Sequence, residues 1–147
     1  MMGDGPIMRD AGFQAEDWQG PFLTITAFAE ALGTAPGRKL GLGLDLDPGD
    51  DLRVLAPHLD RIGLIRIRFG SCADGRGFSV ARRLRAMGYG GRLRAAGPIL
   101  ADQYAMARRA GFDEVAPTPE IAARQPEAQW RARADWQSGD YLARLRG

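Results

Sequence analysis

The 147-residue chain has one cysteine, one histidine and one lysine, and each scarcity excludes a class of protein. Cys72 alone rules out an internal disulfide and any iron–sulfur or zinc site that needs four cysteines. Because His58 is the only imidazole, a metal centre built from cysteine and histidine is excluded too, and we expect no bound metal. Cys72 is expected to be an inert thiol, since it has no activating base close to it in the chain.

Long apolar segments are also missing. No run approaches the roughly 20 residues that span a bilayer, and residues 1–10 lack the apolar stretch of a secretory signal. Lysine and arginine number 20 against 18 aspartates and glutamates, and a net charge of +2 is small for a protein dedicated to nucleic-acid backbones. We expect a soluble, cytoplasmic protein without a nucleic-acid or membrane partner.

Short apolar runs that alternate with amphipathic segments fill the middle of the chain. Three segments are predicted to be strands from alternation of apolar with polar or glycine positions: residues 39–47, 62–69 and 92–96. Residues 112–116 are predicted to form a fourth, short strand. Three helices are predicted between them: one capped by Asp50 or Asp51, one over residues 78–87 and one over residues 99–110. Each connection is too long for a hairpin, so neighbouring strands should run parallel.

We therefore predict an α/β fold, with a four-stranded, mostly parallel sheet of repeated βα units that resembles half of a (β/α)₈ barrel. The strands are apolar on one side only, so the helices should lie mainly on one face. The other face should carry Asp45, Asp47, Arg66, Arg68 and Arg94. The two aspartates are expected to pair with Arg66 and Arg68. The N-terminal segment, the C-terminal tail or a second copy of the chain could cover this face.

The whole chain, residues 1–147, is predicted to be one domain: an N-terminal extension (1–36), the βα core (37–117) and a tail (118–147). Residues 1–20 are expected to be mobile, and residues 22–32 are predicted to form a short helix, with a strand as the alternative. A helical piece is predicted near residues 119–124. Several aromatic and leucine residues of the polar tail, Trp130, Trp136, Tyr141, Leu142 and Leu145, are expected to dock on the protein's own sheet.

Ligands of open parallel sheets bind beyond the carboxyl ends of the strands, and the loop over residues 70–77 lies at such an end. Its glycines allow backbone amides near a helix start to converge on an anion. Four residues are the candidate anion ligands: Gly75, Arg76, Gly77 and Ser79. Asp74 is a candidate catalytic acid or base, or orients Arg76. The structural alternative is a turn in which Asp74 or Ser79 caps the helix.

A second loop, residues 94–103, follows the third predicted strand. Arg94 and Gln103 are further candidates for anion binding, and Asp102 is a second catalytic candidate. Asp102 also fits the first turn of a helix, where the dipole favours a carboxylate. A structural pair of Asp102 with Arg76 or Arg94, which would hold the two loops together, is favoured over catalysis.

Several runs of the chain resemble a small bacterial family of unassigned biochemistry: DGRGFSVARRLR at 74–85, GYGGRLRAAG at 88–97, LADQ at 100–103 and RAGFD at 109–113. The genes of that family lie beside sulfite reductase in cysteine-biosynthesis operons, and its members are often labelled oxidoreductases of sulfite reduction. The resemblance covers residues from about 40 to 114. It implies a role in sulfur assimilation, with sulfite reductase components and a small oxyanion as partners, and it assigns no catalytic residue.

Three functions remain open from the sequence. The leading hypothesis is an accessory protein of assimilatory sulfite reduction that binds a small oxyanion or the reductase. The chain has no iron–sulfur ligands, haem-attachment motif or dinucleotide fingerprint, so no cofactor is assigned and catalysis is left open. The second hypothesis is an enzyme for a phosphorylated or sulfonated small molecule, with Asp74 or Asp102 as acid or base. The third is a non-catalytic module that forms homodimers through its charged sheet face.

Overall fold

The computed structural model describes residues 5–34, 42–71 and 73–137. Seven strands form one sheet: β1 (Ile7–Arg9), β2 (Gly12–Gln14), β3 (Phe22–Leu23), β4 (Leu42–Leu46), β5 (Ile62–Arg68), β6 (Arg92–Gly97) and β7 (Glu114–Pro117). Their order across the sheet is β2-β1-β7-β6-β5-β4-β3. Strands β3 to β7 run parallel, each beside its neighbour in sequence, and β1 is antiparallel to both β2 and β7.

The predicted α/β class and mostly parallel sheet are confirmed, but the count of four strands is wrong. The four predicted strands are β4 to β7; the sequence did not indicate β1 and β2, and β3 lies in residues 22–32, where a strand was the alternative to a helix. These strands have only two or three residues, too few for an alternating pattern to stand out. The expected mobility of residues 1–20 is corrected for residues 7–14, which form the β1–β2 hairpin; residues 1–4 lie outside the described part.

Five α-helices are described: α1 (Ile25–Thr34), α2 (Arg76–Ala86), α3 (Tyr104–Ala110), α4 (Pro119–Arg124) and α5 (Glu127–Arg131). Residues 22–32 contain both predicted structures, because β3 leads directly into α1. The segment capped by Asp51 is 3₁₀-helical, in two short pieces, Leu52–Val54 and Ala56–Arg61. Proline at position 57 lacks the amide that a continuous α-helix would need there. Within the described residues, no helix is long and apolar enough to cross a membrane.

The helices share one hydrophobic cluster with a single face of the sheet. Leu44, Ile65 and Leu93 lie side by side on β4, β5 and β6 and are fully buried in that cluster. All five α-helices contribute buried residues to it, among them Phe28, Phe78, Ala81, Leu84, Tyr104, Ala107, Ile121 and Trp130. The predicted placement of the helices on the apolar face is therefore confirmed for the described residues.

The opposite face carries a row of ionic residues. Asp45, Arg66, Arg94 and Glu114 are register partners across β4, β5, β6 and β7. Residues 16–22, which we call the crossing segment, contact this face. One of the three predicted covers, the N-terminal segment, therefore lies on it.

Two strand glycines make room for the crossing segment. A Cβ atom on Gly63 would lie 2.7 Å from the Trp18 ring, and one on Gly43 would lie 2.7 Å from the Phe22 ring. Since real Cβ contacts are longer than this, side chains at either strand position would push the rings off the sheet. Gly43 of β4 and Gly63 of β5 thus allow two aromatic rings to pack directly on the strand backbone.

The tail was predicted to dock on the protein's own sheet, and within the described residues it does so in part: Trp130 meets the sheet at Phe13 of β2, whereas the partners of Trp136 lie on α3 and in the turn after β1. Trp130 on α5 is fully buried and contacts the rings of Phe13 and Tyr104. Trp136 lies against the Arg108 guanidinium, 4.7 Å from the ring centre, and donates a hydrogen bond to Asp10. The other tail residues expected to dock, Tyr141, Leu142 and Leu145, lie outside the described part of the chain.

Candidate functional site at the carboxyl edge of the sheet

A cleft of about 490 Å³ lies at the carboxyl ends of β4 and β5. Its walls are residues 47–49 after β4, residues 68–70 at the end of β5, and Asp74 with Arg76 at the start of α2. This is the edge at which parallel sheets bind ligands. Another cleft, of about 410 Å³, lies at the amino edge between residues 59–63 and 88–91, where residues of βα folds more often serve stability.

Glycines open the carboxyl-edge cleft. A Cβ atom on Gly49 or Gly70 would have no protein atom within 4 Å, so both positions face open space. Gly77 has a different role, because the Phe69 ring occupies the position that its Cβ would take. Of the predicted anion ligands, Gly77 is thus a packing residue between α2 and the end of β5. Gly75 is the N-cap of α2, and Ser79 is an exposed residue inside that helix.

Asp74 holds Arg76 in place at the cleft. The Arg76 Nε and Nη2 atoms each donate to the Asp74 carboxylate at 3.0 Å, and the Arg76 backbone N–H donates to it at 3.2 Å. These hydrogen bonds hold the pKa of the Asp74 carboxyl below its ordinary value. Asp74 is therefore ionised at neutral pH, which suits the predicted orienting role better than that of a proton donor.

Arg68 is a second guanidinium in the same cleft. Its side chain is 56% exposed, and its Nη1 atom lies 3.6 Å from Asp45. Asp45 is already bound by Arg66, which donates to both carboxylate oxygens at 2.6 and 2.7 Å. The predicted pairing of Asp45 with Arg66 and Arg68 is confirmed, but the second contact is long. Arg68 thus keeps most of its donors for another partner.

Asp47 lines this cleft as well, on the loop that follows β4. Its side chain is exposed, and it makes no ion pair among the described residues. The predicted pairing of Asp47 with an arginine of the sheet face is therefore not formed. Asp47 and Arg68 were not singled out as site residues from the sequence. Asp47 directly follows β4, and Arg68 is the last residue of the neighbouring parallel strand β5. This position at the carboxyl edge of the sheet was the signal that could have identified both residues.

Arg94, a predicted anion ligand, lies in an ion-pair network on the sheet face. Its side chain is 1% exposed, its Nε donates to Glu114 at 2.6 Å, and both terminal nitrogens donate to Glu16. Arg9 and Arg92 donate to the same Glu114 carboxylate. All three Arg94 nitrogens are thus engaged by carboxylates of the protein itself.

Glu16 ties the crossing segment to this network. Burial alone would raise the pKa of Glu16, but hydrogen bonds from Arg94 and from the Trp18 backbone N–H outweigh it and lower the pKa. Sequence reasoning missed Glu16 and Glu114, and no local pattern marks either residue. Glu16 reaches Arg94 across 78 positions of sequence, and only the fold brings them together.

The second loop lies apart from the carboxyl-edge cleft. Asp102 is exposed and lines a different cleft, of about 530 Å³, with Gln125 and Arg133. The Gln103 side chain accepts the Leu100 N–H at the start of its own 3₁₀ turn. The favoured pairing of Asp102 with Arg76 or Arg94 is wrong, because Asp74 holds Arg76 and two glutamates hold Arg94.

The described residues bring no three His, Cys, Asp or Glu side chains together in a way that could hold a metal ion. Cys72, which was expected to be inert, lies outside those residues.

In comparison with known proteins, a family model described as a bacterial protein of unknown function (DUF934) matches residues 43–141. A search of curated proteins gives no match. The matched span includes both arginines of the carboxyl-edge cleft.

Proposed function

Since this chain belongs to a family of bacterial proteins of unknown function, DUF934, we propose a function from its residues: an accessory protein of assimilatory sulfite reduction that binds a small oxyanion. The observation that carries the binding proposal is the cleft at the carboxyl edge, with Arg68 and Arg76 in its walls. The pathway rests on the resemblance of residues 74–113 to proteins encoded beside sulfite reductase. Sulfite reductase components are the partners that this resemblance suggests.

The two arginines have the chemistry that oxyanion binding needs. A guanidinium is planar, stays charged at any physiological pH, and donates two parallel hydrogen bonds to sulfite-like, phosphate or carboxylate groups. The Arg76 side chain is 71% exposed, and its Nη1 atom takes no part in the pair with Asp74. Arg68 has only one long contact, to Asp45. Both can therefore turn donors toward a ligand without giving up a short ion pair.

The amino end of α2 also favours a negative charge in this cleft. This helix has 11 residues, no acidic residue in its first turn, and begins at Arg76. Its aligned peptide dipoles favour negative charge near that end by about 0.3–1 kcal/mol. The contribution is smaller than that of paired hydrogen bonds from a guanidinium to an anion. The helix end therefore assists, and the arginines dominate.

Replacing Arg68 with alanine is expected to weaken the binding of sulfite, sulfate or phosphate up to about fivefold, the range of one partly exposed ion pair. Isothermal titration calorimetry with each anion at millimolar concentration measures this. Arg53→Ala is the control, because Arg53 is also an exposed arginine and does not line the cleft. If the unaltered protein shows no heat with any anion, or if both variants bind equally, the binding proposal is wrong.

A strain that lacks this gene is expected to grow more slowly when sulfate is its only sulfur source, and to grow normally on cysteine. The reason is that the proposed role lies before sulfide is made. Growth curves after return of the unaltered gene or the Arg68→Ala gene measure the effect. Full growth on sulfate without the gene, together with no binding of the purified protein to sulfite reductase, would remove the pathway part of the proposal.

The positions of the candidate residues give less support to the other two hypotheses, an enzyme and a homodimeric module. An enzyme would need an acid or base beside the bound oxyanion, but Asp74 is held in a pair by Arg76, and Asp102 lies in another cleft. A homodimer through the charged face would use Asp45 and Arg66, which pair with each other inside one chain. The binding role is therefore the one that the arrangement favours.

A further inference from the structure

The charges of the carboxyl-edge cleft are balanced, which bears on the kind of ligand it takes. Its walls contain two arginines, Arg68 and Arg76, and two aspartates, Asp47 and Asp74. A cleft designed for a simple anion would be expected to carry an excess of positive charge. An equal number of opposite charges instead matches a ligand that itself carries both signs.

Some of the charged residues at the carboxyl edge already form ion pairs with each other. Asp74 and Arg76 form a bidentate pair, and so do Asp45 and Arg66 beneath the cleft. Two charged groups are then left over, one of each sign. Arg68 has a single contact, at 3.6 Å, with the Asp45 carboxylate that Arg66 already binds. Asp47 forms no ion pair with any of the described residues.

The left-over groups line the same cleft but do not pair with each other in the described structure. Arg68 ends β5, and Asp47 directly follows the neighbouring strand β4. A cation and an anion that face one cleft without meeting leave room for a molecule between them. Such a molecule is bound best when its anionic group meets the guanidinium and its cationic group meets the carboxylate.

We propose, on the basis of the proposed function, that the oxyanion bound in this cleft also carries an ammonium group. Arg68, with the free Nη1 of Arg76, binds the sulfonate, phosphate or carboxylate end, and Asp47 binds the ammonium end. The ligand class is therefore a small amino acid or an amino-sulfonate. A cleft of about 490 Å³ has ample room for a molecule of this size.

Two ligands that differ only in the cationic group test this directly. Taurine has a sulfonate and an ammonium, and isethionate has the same sulfonate with a hydroxyl in place of the ammonium. We expect the full-length protein to bind taurine about fivefold more tightly than isethionate, the range of one partly exposed ion pair. Isothermal titration calorimetry at low salt gives both affinities, with sulfite titrated beside them as the simple anion.

Variants assign the difference to a residue. Asp47→Asn is expected to abolish the advantage of taurine and to bind isethionate at least as tightly as the unaltered protein, because the variant removes a negative charge from the cleft. Asp60→Asn is the matched control, since Asp60 is an exposed aspartate at the opposite edge of the sheet, and it should preserve the advantage. Gly70→Leu fills open space without a positive φ, so it should block all three ligands while the protein stays folded by circular dichroism.

The outcomes separate this inference from the function on which it rests. Equal affinities for taurine and isethionate in the unaltered protein overturn the inference, while sulfite binding in the same series keeps the oxyanion function. An advantage of taurine that survives in Asp47→Asn also overturns it, because another group then binds the ammonium. If none of the three ligands binds, the oxyanion function and the inference fail together.

Discussion

Replacing Arg94 with alanine is expected to lower the free energy of unfolding by about 3 kcal/mol, at the lower end of the range for breaking a buried ion pair. The side chains of Arg94 and Glu114 are 1% and 2% exposed, so the variant leaves a carboxylate buried without its shortest partner. Arg9 and Arg92 still donate to Glu114, which is why the loss should stay below the upper end of about 5 kcal/mol. Urea denaturation followed by circular dichroism measures it.

Arg82→Ala serves as the control for this loss. Arg82 is exposed on α2 and makes no ion pair within the described residues, so its removal should change stability by less than about 0.5 kcal/mol. An Arg94→Ala protein as stable as Arg82→Ala would mean that Glu16, Arg94 and Glu114 do not form the network described above.

Trp130→Ala is expected to cost about 3–5 kcal/mol, the usual range for emptying a buried Trp or Phe site. The ring is fully buried between Phe13 of the hairpin and Tyr104 of α3. Its Nε1 also donates to the Gln125 carbonyl at 2.8 Å, so the variant leaves a backbone acceptor without this partner. Because the hairpin and α5 meet at this ring, thermal and urea unfolding should both report the loss.

The comparison for this variant is Trp136→Ala. Trp136 is half-buried, and the Arg108 guanidinium and Asp10 are its partners, so the expected loss is clearly smaller than that of Trp130→Ala. Equal losses for the two tryptophans would contradict the view that α5 closes the hydrophobic cluster while the segment after it lies on the surface.

The parts of the fold that were predictable are those that a local period encodes. Strands β4 to β6 alternate because one face meets the helices and the other meets the crossing segment, and that alternation is readable along each strand. Strands β1 and β2 were not predictable, because their three residues are held by pairing with other strands, and the two residues of β3 were covered only by the alternative to a helix. The two 3₁₀ pieces after Asp51 replaced the predicted α-helix for a local reason, since Pro57 interrupts an otherwise helical spacing.

The residues of the candidate site were likewise predictable only where their partners lie close to them in the sequence. The loop that carries Asp74 and Arg76 was found from its glycines and its place after a strand, and the pair is two residues apart in sequence. Arg94 has the same residue type and also lies on a strand, yet its donors are used by Glu16 and Glu114, at 78 and 20 positions of separation. A single sequence gives no sign of such partners, so a buried structural arginine and a ligand-binding one look alike in it.

The rings of Phe22 and Trp18 reach the strand backbone only because Gly43 and Gly63 have a hydrogen atom in place of a side chain. Among the described residues, the crossing segment alone lies over these two rings' side of the sheet, and its residues 16, 17 and 19 are exposed. An added methyl group at position 63 would lift the indole, and with it the Glu16 carboxylate that lies two residues away. Substitutions at positions 18 and 63 should therefore be tolerated only in matched combinations, with a smaller ring where the strand gains a side chain.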